Sequence, residues 1–148
     1  MKKLNAFIFS LLVLCAISAF GQEDKALVQS AIEDYVDALY EVDPSKIERS
    51  VDTSLRKIGY WYDASSEGYK DNLPMTYAQL YDLAGSWNKD GKQANAASPK
   101  EILIYEVNDK TATAKLTAVW GIDLFHLAKV DGQWKIMNII WQSPPKSY

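Results

Sequence analysis

The chain has 148 residues, 48% of them hydrophobic and 24% charged, with a formal charge of −3. That length holds one domain around one core, and an acidic balance without a basic stripe argues against binding nucleic acid. A single histidine and a single cysteine argue against a transition-metal centre and against a disulfide framework.

The opening MKKLNAFIFSLLVLCAISAFGQ places two lysines before an apolar run from Leu4 to Leu14, then small residues. This is the order of a secretory signal peptide, and the run is too short to favour a membrane span. Ala19 and Gly21 supply the small side chains that a signal peptidase accepts. Residues 1–21 are therefore expected to be removed, leaving 22–148 as a single exported domain, periplasmic or secreted and free of the membrane. Lys2 and Lys3 leave with the signal and no acid does, so the charge of −3 becomes −5. Cys15 raises lipid attachment as an alternative, but it follows the bulky Leu14 where such a site takes a small residue. Without thiols the mature domain must rest on a packed core.

From Asp24, Val28, Ile32, Tyr35, Val36 and Leu39 recur at three- and four-residue spacing, which predicts an amphipathic helix ending near Tyr40. Asp43 and Pro44 then supply an N-cap and a first helical residue for a second, shorter helix that turns Ile47 and Val51 inward. The segment LRKIGYWYD, Leu55 to Asp63, lacks helical period and reads as a strand, ASSEG as a turn, and YKDNL as a short return strand. Thr76 and Gln79 form a capping box flanked by Met75 and Leu80 at the positions of a hydrophobic staple, predicting a third helix over Tyr77–Trp87. NKDGKQANAASP is a polar loop.

The remainder predicts three antiparallel strands in a meander: EILIYEV, the long TATAKLTAVWGIDLFHLAKV, and QWKIMNIIWQ behind an Asp131-Gly132 turn. Residues 143–148 read as a tail. In the long strand the apolar side falls on even positions from Ala112 to Trp120 and on odd ones at Phe125 and Leu127. A bulge near Gly121 would produce that switch and bend the sheet so that it encloses one face.

Two helices, a strand pair, a third helix and a closing meander resemble the NTF2-like superfamily of cone-shaped α+β domains. The segment DLFHLAKVDGQWKIMNIIW resembles the closing strands of the small bacterial proteins grouped under the label "Putative lumazine-binding". The resemblance spans Asp24 to Trp141 and departs at Asp52-Thr53, where relatives often carry a His-Pro pair, so no role for that histidine is transferred. It implies an α+β fold in which three helices from the N-terminal half pack on a curved antiparallel sheet. The superfamily includes ketosteroid isomerases, dehydratases, small-ligand binders and dimerising modules. Fold alone does not choose among them.

With a two-residue Asp-Gly turn, Lys129 would pair with Trp134, Leu127 with Ile136, Phe125 with Asn138 and Asp123 with Ile140, all on the inner face. Asp123 and Asn138 are therefore expected in the cavity. Asp123 is the candidate catalytic base should the protein be an isomerase or dehydratase, because an apolar site raises a carboxylate's basicity. Phe125, Trp120, Tyr35 on the first helix, and Tyr60 or Tyr62 on the early strand are the aromatic candidates for stacking on a planar ligand. The opposite face carries His126, Met137, Ile139 and Trp141. His126 has no acid partner on its own face and reads as an interface residue rather than a general base. In the superfamily that surface commonly pairs subunits, which implies a homodimer.

No Gly-rich phosphate loop or nucleophile elbow is present, and no cofactor or metal is expected. The leading expectation is an exported domain that binds a small, mostly apolar or planar molecule. A proton-transfer enzyme and a ligand-free interaction module are the alternatives.

Overall fold

The computed structural model describes residues 22–145. The segment read as a signal peptide lies outside them, as do residues 146–148. Helix α1 occupies 22–40, and its predicted stripe of Val28, Ile32, Tyr35, Val36 and Leu39 is buried. Helix α2 (Pro44–Ser50) starts as read: the Asp43 carboxylate accepts from the Ser45 amide and Pro44 opens the helix. Val51 is buried as expected, but as the first residue of strand β1 (Val51–Asp63) rather than the last of the helix. Strand β2 (Gly68–Met75) returns antiparallel to β1.

Helix α3 (Tyr77–Ala84) carries the capping box, with Thr76 accepting from the Gln79 amide and the Gln79 side chain accepting from the Thr76 amide. It stops at Ala84, three residues short of the expected end. Beyond Gly85 the chain continues in turns, in which the Ser86 and Trp87 amides both reach back to the Leu83 carbonyl. The polar loop that follows is organised by one side chain. Buried Asn88 donates to the Tyr40 and Ala94 carbonyls and accepts from the Gln93 and Ala94 amides. It thereby supplies the partners that backbone withdrawn from water requires.

Strands β3 (Glu101–Val107), β4 (Thr111–Ala118), β5 (Gly121–Val130) and β6 (Gln133–Gln142) complete a six-stranded sheet in the order β2-β1-β6-β5-β4-β3. Neighbours are antiparallel except β1 and β6, which run parallel. The sheet is therefore mixed, not wholly antiparallel. The closing segment also has four strands where three were expected. The long strand is a hairpin: Ala118 pairs with Gly121 across Val119 and Trp120. A two-residue turn pairs even residues of one strand with odd residues of the next, so Ala112, Ala114 and Leu116 share a face with Leu127, Phe125 and Asp123. The change of phase at Gly121 is thus a chain reversal rather than a bulge. Gly121 has φ +130°, and a Cβ there would lie 2.0 Å from the Gln142 carbonyl oxygen. Only glycine meets both demands.

A bulge does exist, one strand later. Lys129 pairs with Trp134 and Leu127 with Ile136, but His126 then pairs with Asn138 and Phe125 with Ile139, leaving Met137 as the extra residue. Everything beyond it changes face. Ile139 is fully buried, whereas Ile140 is 45% exposed. The inner face carries Leu55, Phe125, Leu127, Ile136 and Ile139 against the helices, each buried aliphatic or aromatic side chain contributing about 1.5–3 kcal/mol. Ser143 is not part of a tail: its amide donates to the Tyr60 carbonyl, and its hydroxyl accepts from the Tyr62 amide.

Candidate functional site

A cavity of about 140 Å³ lies between the helices and the inner face. Helix α1 contributes Tyr35 and, one turn later, Leu39. Strand β1 contributes Lys57 and Trp61, which point to the same side because they are four apart on a strand. Met75 closes β2, Leu83 and Trp87 come from α3 and its following turn, Trp120 from the β4–β5 turn, and Trp141 from β6. Trp61 is 44% exposed and marks the side open to water. Between Lys57 and Trp61, Gly59 lets the Trp141 indole lie directly on the β1 backbone, since a Cβ would fall 2.1 Å from the ring.

At the inner end stands a polar cluster. Lys57 Nζ donates to the Tyr35 hydroxyl at 2.5 Å and lies 3.6 Å from Asp123 Oδ1. The Tyr35 hydroxyl donates onward to the same oxygen at 3.5 Å, and the Trp120 indole N–H donates to Asp123 Oδ2 at 2.6 Å. Asp123 is fully buried and Lys57 nearly so. Burial drives each group toward its neutral form: it raises the Asp123 carboxyl against the pull of Lys57 and Trp120, and lowers the Lys57 ammonium against the support of Asp123. The Tyr35 hydroxyl is pushed well up by burial and then by the Asp123 charge, so it stays protonated. Aromatic rings fix the cluster. Tyr35 meets Phe125 edge to face at 5.2 Å and Trp120 at 6.2 Å, while Tyr40 and Trp87 stack at 6.1 Å beside Trp120.

Among the sequence candidates, Tyr35 and Trp120 line the cavity. Asp123 and Phe125 lie on the inner face but stand behind that lining, in the core. Asn138 does not join them. The Met137 bulge puts it opposite His126, where its side chain donates to the Arg56 carbonyl. Tyr60 and Tyr62 also miss the cavity, because the inward residues of β1 are Lys57, Gly59 and Trp61; Tyr60 instead borders a groove on the outer face with Leu124 and Ile140. Ile139 and Trp141, expected on the outer face, are turned inward by the same bulge, Ile139 into the core and Trp141 into the cavity. His126 is exposed on the outer face as read, and Met137 is the bulge residue itself.

Lys57 was missed, and Trp61 and Trp87, part of the chain's large aromatic set, were not singled out for the cavity. A lysine normally signals solvent, and only its place in the alternation Leu55, Lys57, Gly59 hinted otherwise. No group of three or more His, Cys, Asp or Glu side chains among the described residues could hold a metal ion. No helix among them is long and apolar enough to cross a membrane.

Solved structures share this architecture. An NTF2-like protein of unknown function from Silicibacter pomeroyi DSS-3 aligns with a TM-score of 0.58 at 18% identity, covering 80% of this chain and 94% of its own. One from Shewanella baltica OS155 aligns at 0.59 and 15% identity, covering 84% and 96%. A domain of unknown function with a cystatin-like fold from Nostoc punctiforme PCC 73102 aligns at 0.56 and 10% identity, covering 85% and 79%. At such identities these likenesses establish the fold alone. No curated protein matches the chain in sequence. Residues 23–142, nearly all of the described chain, match the family described as "Putative lumazine-binding", and with its NTF2-like fold the chain belongs to that family.

Proposed function

We propose that this protein is an exported binding domain that holds a small, planar, mostly apolar molecule in the cavity between its helices and sheet, without transforming it. The observation that carries this reading is the cavity wall itself: Trp61, Trp87, Trp120 and Trp141 converge on one space with Leu39, Met75 and Leu83, leaving Lys57 and the Tyr35 hydroxyl as its polar end. An apolar cavity of roughly this volume takes one aromatic ring, and the exposed Trp61 at its edge offers a further face for stacking. The family's name, which refers to a bicyclic heteroaromatic compound, is consistent with that shape.

Titrating the intrinsic tryptophan fluorescence against a panel of planar heterocycles tests the reading, alongside native mass spectrometry of the protein purified from its host. Saturable quenching and a released small molecule are expected. Unperturbed fluorescence across the panel, with only the bare polypeptide mass, would contradict it.

Direct proton abstraction by Asp123 has less support. Tyr35, Lys57 and Trp120 surround its carboxylate, and it does not border the cavity.

Export is proposed from the lysine, apolar and small-residue order of residues 1–21. Pairing of two copies is proposed through the outer face, where Leu103, Leu124 and Ile140 are each more than two-fifths exposed. Sedimentation of the wild type and of Leu124→Lys tests the pairing: a dimer that the substitution splits supports it, and a monomeric wild type rejects it.

A further inference from the structure

The tip of the β1–β2 hairpin, residues 61–70, projects past the sheet that carries it. The pairing of β1 with β6 ends at Tyr60 opposite Gln142, so beyond that point Trp61, Tyr62 and Asp63 have ladder partners on one side alone, Lys70, Tyr69 and Gly68. No residue from 61 to 70 is buried, and a two-stranded hairpin without a packed face is marginal by itself. Internal ties hold the tip together as a unit: the Tyr62 and Tyr69 rings meet edge to face at 5.4 Å, Lys70 pairs with Asp63 at 3.1 Å, and Asp63 also accepts from Ser65. Such a unit opens at lower cost than the buried strands beside it.

The joint to the sheet is a break in the ladder. Gly59 pairs with Leu73 and Trp61 with Lys70, so Tyr60 on β1 is opposed by both Asp71 and Asn72 on β2. This is a bulge, and Asn72 within it sits at φ +52°, a conformation that asparagine tolerates better than most side chains. The ladder is thus interrupted at the level where the tip leaves the sheet.

Trp61 ties this joint to the cavity. It is the first residue of the tip, it lines the cavity, and its ring lies 6.4 Å from that of Trp141. Ser143 clasps the strand on either side of it: the Ser143 amide donates to the Tyr60 carbonyl at 3.0 Å, and the Ser143 hydroxyl accepts from the Tyr62 amide at 2.9 Å. Ser143 is itself fixed to the body of the sheet, because its backbone packs so closely on Gly121 that a Cβ there would fall 2.7 Å from the Ser143 carbonyl carbon.

We infer that residues 61–70 are a hinged flap that swings about Tyr60 and Asp71–Asn72, carrying Trp61 off the cavity mouth to admit an occupant and back over it, with the Ser143 hydroxyl as its latch. This rests on the binding reading above and adds control of entry to it.

The test compares the wild type with Ser143→Ala, which deletes the latch and keeps the Ser143 amide. In hydrogen exchange of the free protein, the slow amides of residues 61–70 should open together and respond little to low urea, whereas those of β5 should accelerate with it. Without the latch, the amides of the tip other than that of Tyr62 should exchange about three- to tenfold faster, as the loss of one hydrogen bond implies. Stopped-flow quenching with naphthalene as the probe should show entry and exit both faster by a similar factor, with Kd changed by less than about twofold, because the latch closes in the free and the occupied protein alike. Tip amides that share the urea dependence of β5 would overturn the flap. A tip that opens while Ser143→Ala leaves the entry rate unmoved would overturn the gate and leave the binding reading standing. Naphthalene that fails to bind, with a tip that still opens, would remove the binding reading and the gate with it.

Discussion

Lys57 Nζ and Asp123 Oδ1 lie 3.6 Å apart on the inner face of the sheet, Lys57 6% and Asp123 0% exposed, with Tyr35 hydrogen-bonded to both. A buried pair of this kind adds little net stability over an apolar pair, but losing one partner strands the other. Lys57→Met alone should therefore cost about 3–5 kcal/mol. Lys57→Met combined with Asp123→Asn should recover much of that loss, giving a coupling of roughly 1–3 kcal/mol between the sites. Urea denaturation of the wild type, both single variants and the double variant measures it. Additive losses would show that the two groups do not depend on each other.

The same pair sets a pH dependence whose sign is opposite to that of an exposed salt bridge. The Asp123 carboxyl is raised above its ordinary 3.8 by burial, so its contribution to folding is most favourable below that value and is lost as pH rises through the raised folded value. At Asp24 the hydrogen bonds from Lys129 and Trp134 hold the carboxyl below 3.8. Its contribution is present above 3.8 and is lost as pH falls through the lowered folded value. Asp123→Asn should accordingly gain on the wild type as pH rises above 3.8, and Asp24→Asn should lose less than the wild type as pH falls below it. Unfolding free energies across an acid-to-neutral series provide the comparison, and curves parallel to the wild type would contradict both assignments.

Two glycines should differ in what they break. At Gly59 a new methyl meets the Trp141 indole, so Gly59→Ala should cost about 1–3 kcal/mol and weaken ligand quenching by tilting that ring. At Gly121 the obstruction is the Gln142 and Ser143 backbone and φ is +130°. Gly121→Ala should cost about 3 kcal/mol or more without any selective effect on binding. Thermal unfolding together with fluorescence titration separates the two.

Asn88→Ala removes all four hydrogen bonds by which that side chain organises the loop after α3, one of them to the Tyr40 carbonyl. Carbonyls and amides left buried without partners make a loss of about 2–4 kcal/mol the expected result. Hydrogen exchange should localise the damage to the loop and to the C-terminal end of α1. Unchanged protection there would contradict the role given to Asn88.

What the sequence disclosed was local chemistry. Asp43-Pro44 and Thr76-x-x-Gln79 mark helix starts because a cap is made by residues within three positions of one another. The α1 stripe was equally plain, since a long helix repeats its buried face several times. The switch of phase near Gly121 was visible but ambiguous, because a bulge and a two-residue turn both change parity. Val119-Trp120 offers none of the Asn-Gly or Asp-Gly chemistry that announces a hairpin.

The Met137 bulge had no local signature at all. It accompanies the parallel pairing of β6 with β1, a contact between residues some eighty positions apart, and it exchanged the expected faces of Asn138, Ile139 and Trp141. Lys57 was hidden for a related reason. Its burial depends on Asp123 and Tyr35, each remote in the chain, and residue type alone places a lysine in water.

The five tryptophans give the most direct test of the binding site, because four line the cavity and one does not. Trp134 is tied instead to Asp24 by its indole N–H at 2.9 Å. In a proton–nitrogen correlation spectrum recorded during titration with a planar heterocycle from the same panel, the indole signals of Trp61, Trp87, Trp120 and Trp141 should move together and saturate while that of Trp134 stays in place. Five stationary signals, or movement confined to Trp134, would contradict the account.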